Sequence, residues 1–170
     1  TGATILSKEV AISSEENAGN LHDTLMNLGS EAVLETLHVI ENGNANPKVQ
    51  IESDDIKTAY KLNKENCKID WTKSGKEIHN LIRGLSPYPA AWTYFADKDQ
   101  EWNVKIYEAR FIGEIHSETI GRITTTKKEM KIATKDGYIE IVQLQFPGKK
   151  NLKTFELLNG IAFSEESKAF

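Results

Sequence analysis

Apolar positions follow a helical period near the start of the chain and an alternating period in its second half. Leucines recur at helical spacing from Leu21 and predict a helix that ends at Gly29. Ser30 is a favourable N-cap, so a second helix is predicted to run from it to about Ile40. The stretch Thr4–Ile12 is typical of a strand. One strand and two helices are too few elements to enclose a core of their own.

A capping box marks the start of the next predicted helix. Ser74 and Glu77 have the S-x-x-E spacing, in which each side chain accepts a hydrogen bond from the other residue's backbone N–H. The buried face of this helix is predicted to consist of Ile78, Leu81, Ile82 and Leu85. Pro87 cannot continue the helical hydrogen bonds and ends the element. The polar residues 46–68 before this helix are predicted to be an extended linker.

Most of the remaining chain alternates between apolar and polar residues, which indicates β structure. The predicted strands are Trp92–Phe95, Trp102–Ile106, Ile120–Thr125, Glu129–Thr134 and Tyr138–Phe146. The pair Asp136-Gly137 supplies a hairpin turn between the last two. A final helix is predicted from Leu152 to Asn159, with Asn151 as its cap and Gly160 as its stop. Short strands at this spacing favour a small barrel, so the predicted fold class is mainly β with helices.

Charge separates the two parts of this 170-residue chain, although the net charge of −4 is ordinary. Residues 1–70 contain 6 basic and 12 acidic side chains, whereas residues 71–170 contain 15 and 13. The second part is therefore mildly basic, which is compatible with an anion-binding face. The longest apolar runs are a few residues long and cannot span a bilayer. The single Cys67 permits no internal disulfide and suits a reducing cytoplasm.

Side chains with catalytic or metal-binding chemistry are few and scattered. None of the histidines stands at metal-ligand spacing from another histidine, a cysteine or a carboxylate. The four histidines are His22, His38, His79 and His116. Cys67 has no neighbouring histidine that would activate its thiol. Because glycine-rich phosphate loops and nucleophile elbows are also missing from the sequence, these residues alone predict no catalytic, metal or cofactor site.

Basic residues recur in groups within residues 61–68, 73–83, 127–135 and 149–153, and they allow two interpretations. In the simpler one, they keep strand edges and loops soluble. In the other, they track phosphate groups across the surface of a small barrel, which is a common activity of such barrels. Acidic residues are interleaved with them, so weak and salt-sensitive binding is expected.

The segment Ile69–Trp92 carries a specific series of motifs. It contains Ile-Asp-Trp, a Ser-containing helix start, Glu-Ile-His-Asn-Leu-Ile-Arg-Gly-Leu, and then Pro-Tyr-Pro-Ala-Ala-Trp. This series resembles the start of the C-terminal domain of the methionyl-tRNA formyltransferase family. Individually weaker likenesses follow the family's order at Thr1-Gly2, Ala18–Leu25, Tyr60–Glu65, Ala133–Gly137 and Pro147–Lys150.

The resemblance implies a fold and a division of the chain. An OB-like Greek-key barrel that binds tRNA is expected over residues 69–170. A strand-helix-helix remnant of a Rossmann-like catalytic domain is expected over residues 1–45, and the interdomain linker over residues 46–68. The family's catalytic and folate-binding residues would correspond to positions before Thr1. No catalytic, cofactor or metal residue is therefore assigned here, and these residues alone are expected to be inactive.

The resemblance also implies partners. The family transfers a formyl group from 10-formyltetrahydrofolate to the methionine amine of initiator tRNA. Initiator methionyl-tRNA is therefore the expected partner. The expected location is the cytoplasm, and no membrane partner is expected. The expected tRNA contacts are Lys61, Lys64, Lys73, Arg83, Lys149, Lys150 and Lys153. The complete family member is expected to be monomeric. These 170 residues are expected to self-associate through the helices between Leu21 and Ile40.

Two other functions stay open at this point. The same two-domain plan could act on an amino-sugar nucleotide, although the lysine-bearing linker and the Gly148-Lys149-Lys150 turn favour a longer polyanion. A structural or protein-interaction barrel is the third possibility. An exposed apolar face on the helices between Leu21 and Ile40 would favour it.

Overall fold

The computed structural model describes residues 2–51, 53 and 56–170. The chain divides into two compact units, Thr1–Lys61 and Leu62–Phe170. Thr1 of the Thr1-Gly2 motif and the linker aspartates Asp54 and Asp55 lie outside the described residues. Each unit is described in turn.

The first unit is built on one long helix, α1, which spans Ala18–Glu41. The side chain of Asn17 caps it by accepting a hydrogen bond from the backbone N–H of Asn20 at 2.9 Å. The prediction of two helices separated at Gly29 was wrong, because an isolated glycine costs a helix interior only about 1 kcal/mol. The predicted cap Ser30 instead donates its hydroxyl to the carbonyl of Asn27, within the helix.

The predicted strand over Thr4–Ile12 does not form. Its pairing is limited to an antiparallel bridge between Thr4 and Lys48, with N···O distances of 2.8 and 2.9 Å. The rest of the segment has no neighbouring strand among the described residues, and a strand without neighbours leaves its backbone groups to water. Large apolar side chains along α1, Leu34 among them, are exposed.

The second unit contains seven strands and two helices within the described residues. The strands are β1 (Ala91–Asp97), β2 (Gln100–Ile112), β3 (Ile123–Thr125), β4 (Met130–Thr134), β5 (Gly137–Gln145), β6 (Leu152–Lys153) and β7 (Lys168–Ala169). The helices are α2 (Gly75–Leu85) and α3 (Thr154–Leu158). The strands lie in the order β3-β4-β5-β2-β1-β7, with β6 attached to β5, and all the pairs are antiparallel.

The sheet closes on itself where β7 meets the residues around the start of β3. Arg122 bridges Lys168, and Gly121 accepts a hydrogen bond at its carbonyl from the N–H of Ala169 at 2.8 Å. Gly121 has a positive φ of 84°, and a Cβ there would collide with the Ala169 carbonyl, so this seam requires glycine. The barrel-like, mainly β fold with helices that was predicted from the sequence is therefore confirmed.

Helix α2 packs on the barrel core with the apolar face that its sequence pattern predicts. The Ser74–Glu77 capping box is present in both directions, with N···O distances of 3.2 and 3.0 Å. Ile78, Ile82 and Leu85 are buried in the core cluster, and Leu81 packs against it. The N–H of Gly75 donates to the Asp136 carboxylate at 2.7 Å, which ties the start of α2 to the β4–β5 hairpin turn.

Two predicted element boundaries were wrong. Residues 152–153 pair with β5 as β6, so the last helix begins at Thr154 and is capped by Lys153 instead of Asn151. The backbone N–H of Lys153 donates to the Glu156 carboxylate at 2.9 Å. Strand β3 begins at Ile123, later than predicted, because the positive φ of Gly121 interrupts the extended chain.

A buried carboxylate ties the end of β1 to the tail of the chain. Both oxygens of Asp97 accept hydrogen bonds from Ser164, one from its hydroxyl and one from its backbone N–H at 3.0 Å. These bonds favour the charged carboxylate, so the pKa of Asp97 is lowered, with Lys98 contributing less. We call this pair of hydrogen bonds the Asp97 clamp, and it holds in place the segment after Ser164 that leads to β7.

The Asp97 clamp predicts acid sensitivity. A lowered pKa in the folded state contributes stability that is present above the unfolded value of about 4 and is lost as the pH falls through the folded value. We expect the free energy of unfolding, measured by urea titration, to fall below about pH 4 in the original chain. Asp97→Asn should be less stable at pH 7 and should lose less on acidification. Asp99→Asn, an exposed neighbour, is the control, and equal pH profiles for all three proteins would contradict the assignment.

Candidate nucleic-acid interface

The seven basic residues predicted to bind nucleic acid lie at different places in the fold. Lys61 is the last residue of the first unit, and Lys64 follows in the loop that enters the second. Lys73 precedes α2, Arg83 lies in its last turn, and Lys153 caps α3. Lys149 and Lys150 follow β5 in an exposed turn.

A row of residues crosses three neighbouring strands on the outside of the barrel and joins two of the predicted lysines. Trp92 of β1 lies opposite Lys105 of β2, which lies opposite Gln145 of β5. Lys64 and Lys149 flank this set. We call these five residues the basic row. Adjacent strands are about 4.8 Å apart, so its central three positions span about 10 Å.

Polar side chains of the sheet anchor both ends of the basic row through backbone carbonyls. The indole N–H of Trp92 donates to the Lys64 carbonyl at 2.7 Å, and the amide of Gln145 donates to the Lys149 carbonyl at 2.8 Å. The Tyr107 hydroxyl in turn donates to the Gln145 amide oxygen at 2.8 Å. Because the anchoring uses main-chain atoms, the ammonium groups of both lysines are left for other partners.

The charges of the basic row are not consumed by ion pairs. Lys64, Lys105 and Lys149 are exposed, and none of them forms a salt bridge with a carboxylate in the part of the chain that the structure describes. The Lys64 ammonium lies 5.3 Å from the Trp92 ring centroid, within cation–π distance. Three cations along a row whose central three positions alone span about 10 Å make a favourable site for an extended polyanion.

The structure does not connect every predicted residue to this row. Lys73 lies near the carboxylates of Asp70 and Glu77, each of whose pKa is lowered first by hydrogen bonds within its own turn and to a smaller degree by Lys73. Arg83 is oriented by a bond from its Nε to the Asn80 side chain at 2.8 Å. Neither Lys73 nor Lys153 has a hydrogen bond or ring contact with the row among the described residues.

Sequence reasoning missed Lys105 and the aromatic residues beside it. The alternating pattern of β2 would have identified Lys105 as an outward-facing residue. Val104 and Ile106 point into the core, so Lys105 between them must point outward. Lys68 is a second basic position and lies near three packed aromatic rings. Trp92 packs edge-to-face on Tyr94, and Tyr94 stacks on Phe170. The ammonium of Lys68 lies 5.7, 5.3 and 5.9 Å from these rings in turn.

Two of the residues with catalytic potential, His116 and Cys67, are enclosed by the fold. The Nε2 of His116 lies 2.8 and 2.9 Å from the carbonyls of Thr134 and Gly137, and its Nδ1 accepts a bond from the N–H of Glu118. Both ring nitrogens are therefore engaged. Cys67 is buried. Across residues 2–51, 53 and 56–170, no group of three or more His, Cys, Asp or Glu side chains could hold a metal ion. No helix in those ranges has the length and apolar character needed to cross a membrane.

Comparison with known proteins identifies the chain's relatives. Residues 61–162 match the family described as "Formyl transferase, C-terminal domain". Methionyl-tRNA formyltransferase of Flavobacterium johnsoniae is 61% identical over all of this chain and 54% of its own length. The enzyme of the same name from Bacteroides thetaiotaomicron is 41% identical over 99% of this chain and 54% of its own. The chain thus spans about half the length of these curated relatives and resembles their C-terminal portion.

Solved structures share the fold at low sequence identity. HypX from Aquifex aeolicus, crystallised as a variant, superposes with a TM-score of 0.61 at 19% identity over 89% of this chain and 27% of its own. WlaRD, a sugar 3N-formyl transferase crystallised in the presence of dTDP and 5-N-formyl-THF, gives 0.51 at 20% identity over 82% and 47%. These likenesses bear on the fold alone.

Proposed function

Since this chain belongs to the formyl transferase C-terminal domain family, we propose that its barrel holds a tRNA for formyl transfer by a longer protein. In this proposal the complete protein transfers the formyl group of 10-formyltetrahydrofolate to the methionine amine of initiator tRNA in the cytoplasm. The relatives named above, which are about twice as long, support it. Residues 1–45 would belong to the catalytic domain, 46–68 to the linker and 69–170 to the tRNA-binding domain.

The basic row is the observation that carries the proposal. The lysine ammonium is a point charge on a flexible side chain, so it can bind a phosphate group without a fixed hydrogen-bond geometry. Such contacts position a nucleic acid without reading its sequence. A row that crosses three strands suits a polymer of phosphates better than the two phosphates of a nucleotide sugar.

The barrel's role in the proposal is to bind and orient. The reaction needs the methionine amine to attack the formyl carbon, the bond from that carbon to the folate nitrogen to break, and the amine to lose a proton. None of these steps is assigned to a side chain of this chain. The 170 residues are therefore expected to bind tRNA weakly and to transfer no formyl group.

Binding of labelled initiator tRNA to the 170-residue chain tests the proposal. We expect weak binding at about 50 mM salt that is lost towards about 200 mM, because each phosphate contact releases counterions. Fluorescence anisotropy at several salt concentrations measures the slope of log K against log salt. A control with heparin of matched charge density separates tRNA binding from attraction to any polyanion. Absence of tRNA binding at low salt, or formyl transfer by the chain alone, would contradict the proposal.

Two further expectations stay predictions. The complete protein is expected to be monomeric, and the 170-residue chain is expected to self-associate through the exposed apolar side chains of α1, as exposed patches of this kind usually find a partner.

A further inference from the structure

A groove lies beside the aromatic rings of the second unit. Its volume is about 510 Å³, within the range of small-molecule sites of about 300–1,000 Å³. The lining residues that matter here are Glu65, Lys68, Asp70, Thr72 and Phe170. The groove therefore combines an aromatic surface, a cation and carboxylates.

Phe170 forms a rigid platform at this groove. Its backbone exchanges hydrogen bonds with Tyr94 at 3.0 and 3.2 Å, and its ring stacks on Tyr94 at 5.6 Å with an interplanar angle of 28°. The residue is nevertheless 42% exposed. Because the ring is already held in place, a flat ligand that stacks on it has little side-chain entropy to remove.

Two cations lie over the platform. The ammonium groups of Lys68 and Lys168 lie over the Phe170 ring, 5.9 and 5.8 Å from its centroid, so a base that stacks there would displace them towards its own edge. Neither forms a salt bridge within the described part of the chain. A ligand that places a flat ring on Phe170 would bring any attached anionic group within reach of these lysines. An aromatic platform with adjacent cations is the usual arrangement for a single-stranded nucleic acid.

The carboxylates of the groove add a preference. One oxygen of Asp70 accepts bonds from the hydroxyl and the N–H of Thr72 at 2.6 and 3.0 Å. The Thr72 bonds, with help from Lys73, lower the pKa of Asp70, so this side chain is an acceptor at neutral pH. Its second oxygen has no hydrogen-bond partner among the described residues. A carboxylate acceptor favours a base that carries an exocyclic amino group.

We propose that this groove binds one unpaired nucleotide of an RNA strand, with an amino-bearing base stacked on Phe170 and its flanking phosphates on Lys68 and Lys168. The inference rests on the proposed function and deepens it. The barrel would hold a single-stranded part of its RNA here, at a site distinct from the phosphate contacts of the basic row. Stacking supplies most of the affinity, and Asp70 discriminates against a base with no amino group.

The stacking half is tested with fluorescein-labelled tetranucleotides of adenosine, cytidine and uridine and the 170-residue chain. We expect the adenosine and cytidine tetramers to bind more tightly than the uridine tetramer. Phe170→Ala should weaken the adenosine tetramer about tenfold, in line with base–aromatic stacking. Phe170→Tyr should bind within about twofold of the original chain, because the tyrosine ring keeps the stacking surface. Phe155→Ala is the matched control, because Phe155 is a phenylalanine of similar exposure, 47%, on α3.

The polar half is tested with two substitutions. Asp70→Asn should reduce the preference for amino-bearing tetramers and leave the uridine tetramer unchanged. Lys168→Gln should weaken the binding of all tetramers and lower the slope of log K against log salt by about 0.7. Lys128→Gln, in the β3–β4 turn, should change neither. Equal binding of all tetramers, or no effect of Phe170→Ala, would overturn the inference.

The outcomes separate this inference from the proposed function. If initiator tRNA binds with its salt dependence and Phe170→Ala leaves tetranucleotide binding unchanged, the groove assignment is wrong and the proposed function stands. If the tetramers bind as expected while initiator tRNA does not, the groove stands and the proposed function fails. Adenosine monophosphate that binds as tightly as the adenosine tetramer would identify a free nucleotide as the occupant, and would overturn the assignment to an RNA strand.

Discussion

Replacing Phe95 with alanine is expected to lower the free energy of unfolding of the barrel by about 3–5 kcal/mol. The side chain is fully buried, and its ring lies 6.1 Å from Phe146 and 6.3 Å from Phe163, while Trp102 also packs against both. Alanine would leave a cavity between β1, the turn after β5 and the tail. Urea unfolding followed by tryptophan fluorescence measures the change, with the protein's three tryptophans as reporters.

The control for this prediction is Phe155→Ala, since that side chain is about half exposed on α3. We expect it to cost less than about 1 kcal/mol. A similar loss for both variants would show that the aromatic cluster around Phe95 is not the centre of the core. The Phe95 variant should also weaken tRNA binding at temperatures where it is still folded, because Phe146 begins the turn that carries Lys149.

Neutralising the basic row is expected to weaken tRNA binding on the order of a hundredfold at low salt. The triple variant replaces Lys64, Lys105 and Lys149 with glutamine. A contact between exposed charged groups is worth up to about 1 kcal/mol, and three at that figure give a loss of this size. The slope of log K against log salt should decrease by about two to three, since three phosphate contacts no longer release counterions.

A second triple variant tests whether the position of the charge matters. Lys76, Lys127 and Lys128 are exposed, and the last two lie in the β3–β4 turn, whose strands are three and two places from β2 in the sheet order. Replacing them with glutamine changes the net charge equally. We expect a much smaller loss of binding from this variant. Equal losses from the two triple variants would mean that net charge, and not the basic row, determines binding.

Local signals were sufficient to predict the elements that depend on them. The Ser74–Glu77 box and the apolar spacing after it fix α2 through bonds and contacts within a few residues. The Asp136-Gly137 hairpin was likewise readable, because β4 and β5 are joined directly at Thr134 and Gly137. In α1 the same reasoning failed, since Gly29 is a weak stop signal and the chain on both sides of it favours helix.

The basic row could not be read from the sequence because it depends on register between strands. Lys64, Lys105 and Lys149 are each about forty residues apart, and only the pairings of β1 with β2 and of β2 with β5 bring them together. Lys73 and Lys153 were selected as members of basic runs, a criterion that takes no account of how the sheet is ordered. The resemblance to formyl transferases identified the domain, but individual contacts needed the sheet register.

The outer edge of β1 is shared by segments from distant parts of the unit. Residues 67–69 pair with Trp92 at one end of this edge, and Phe170 and β7 pair with Tyr94, Phe95 and Ala96 at the other. During synthesis at roughly 5–20 residues per second, several seconds separate the completion of β2 from the arrival of β7. Over that interval residues 94–96 of this edge have no partner strand in the nascent chain. The pairing of β7 with β1 therefore closes the barrel as the last step. Before that step, the strand edge is most available for pairing with a neighbouring chain.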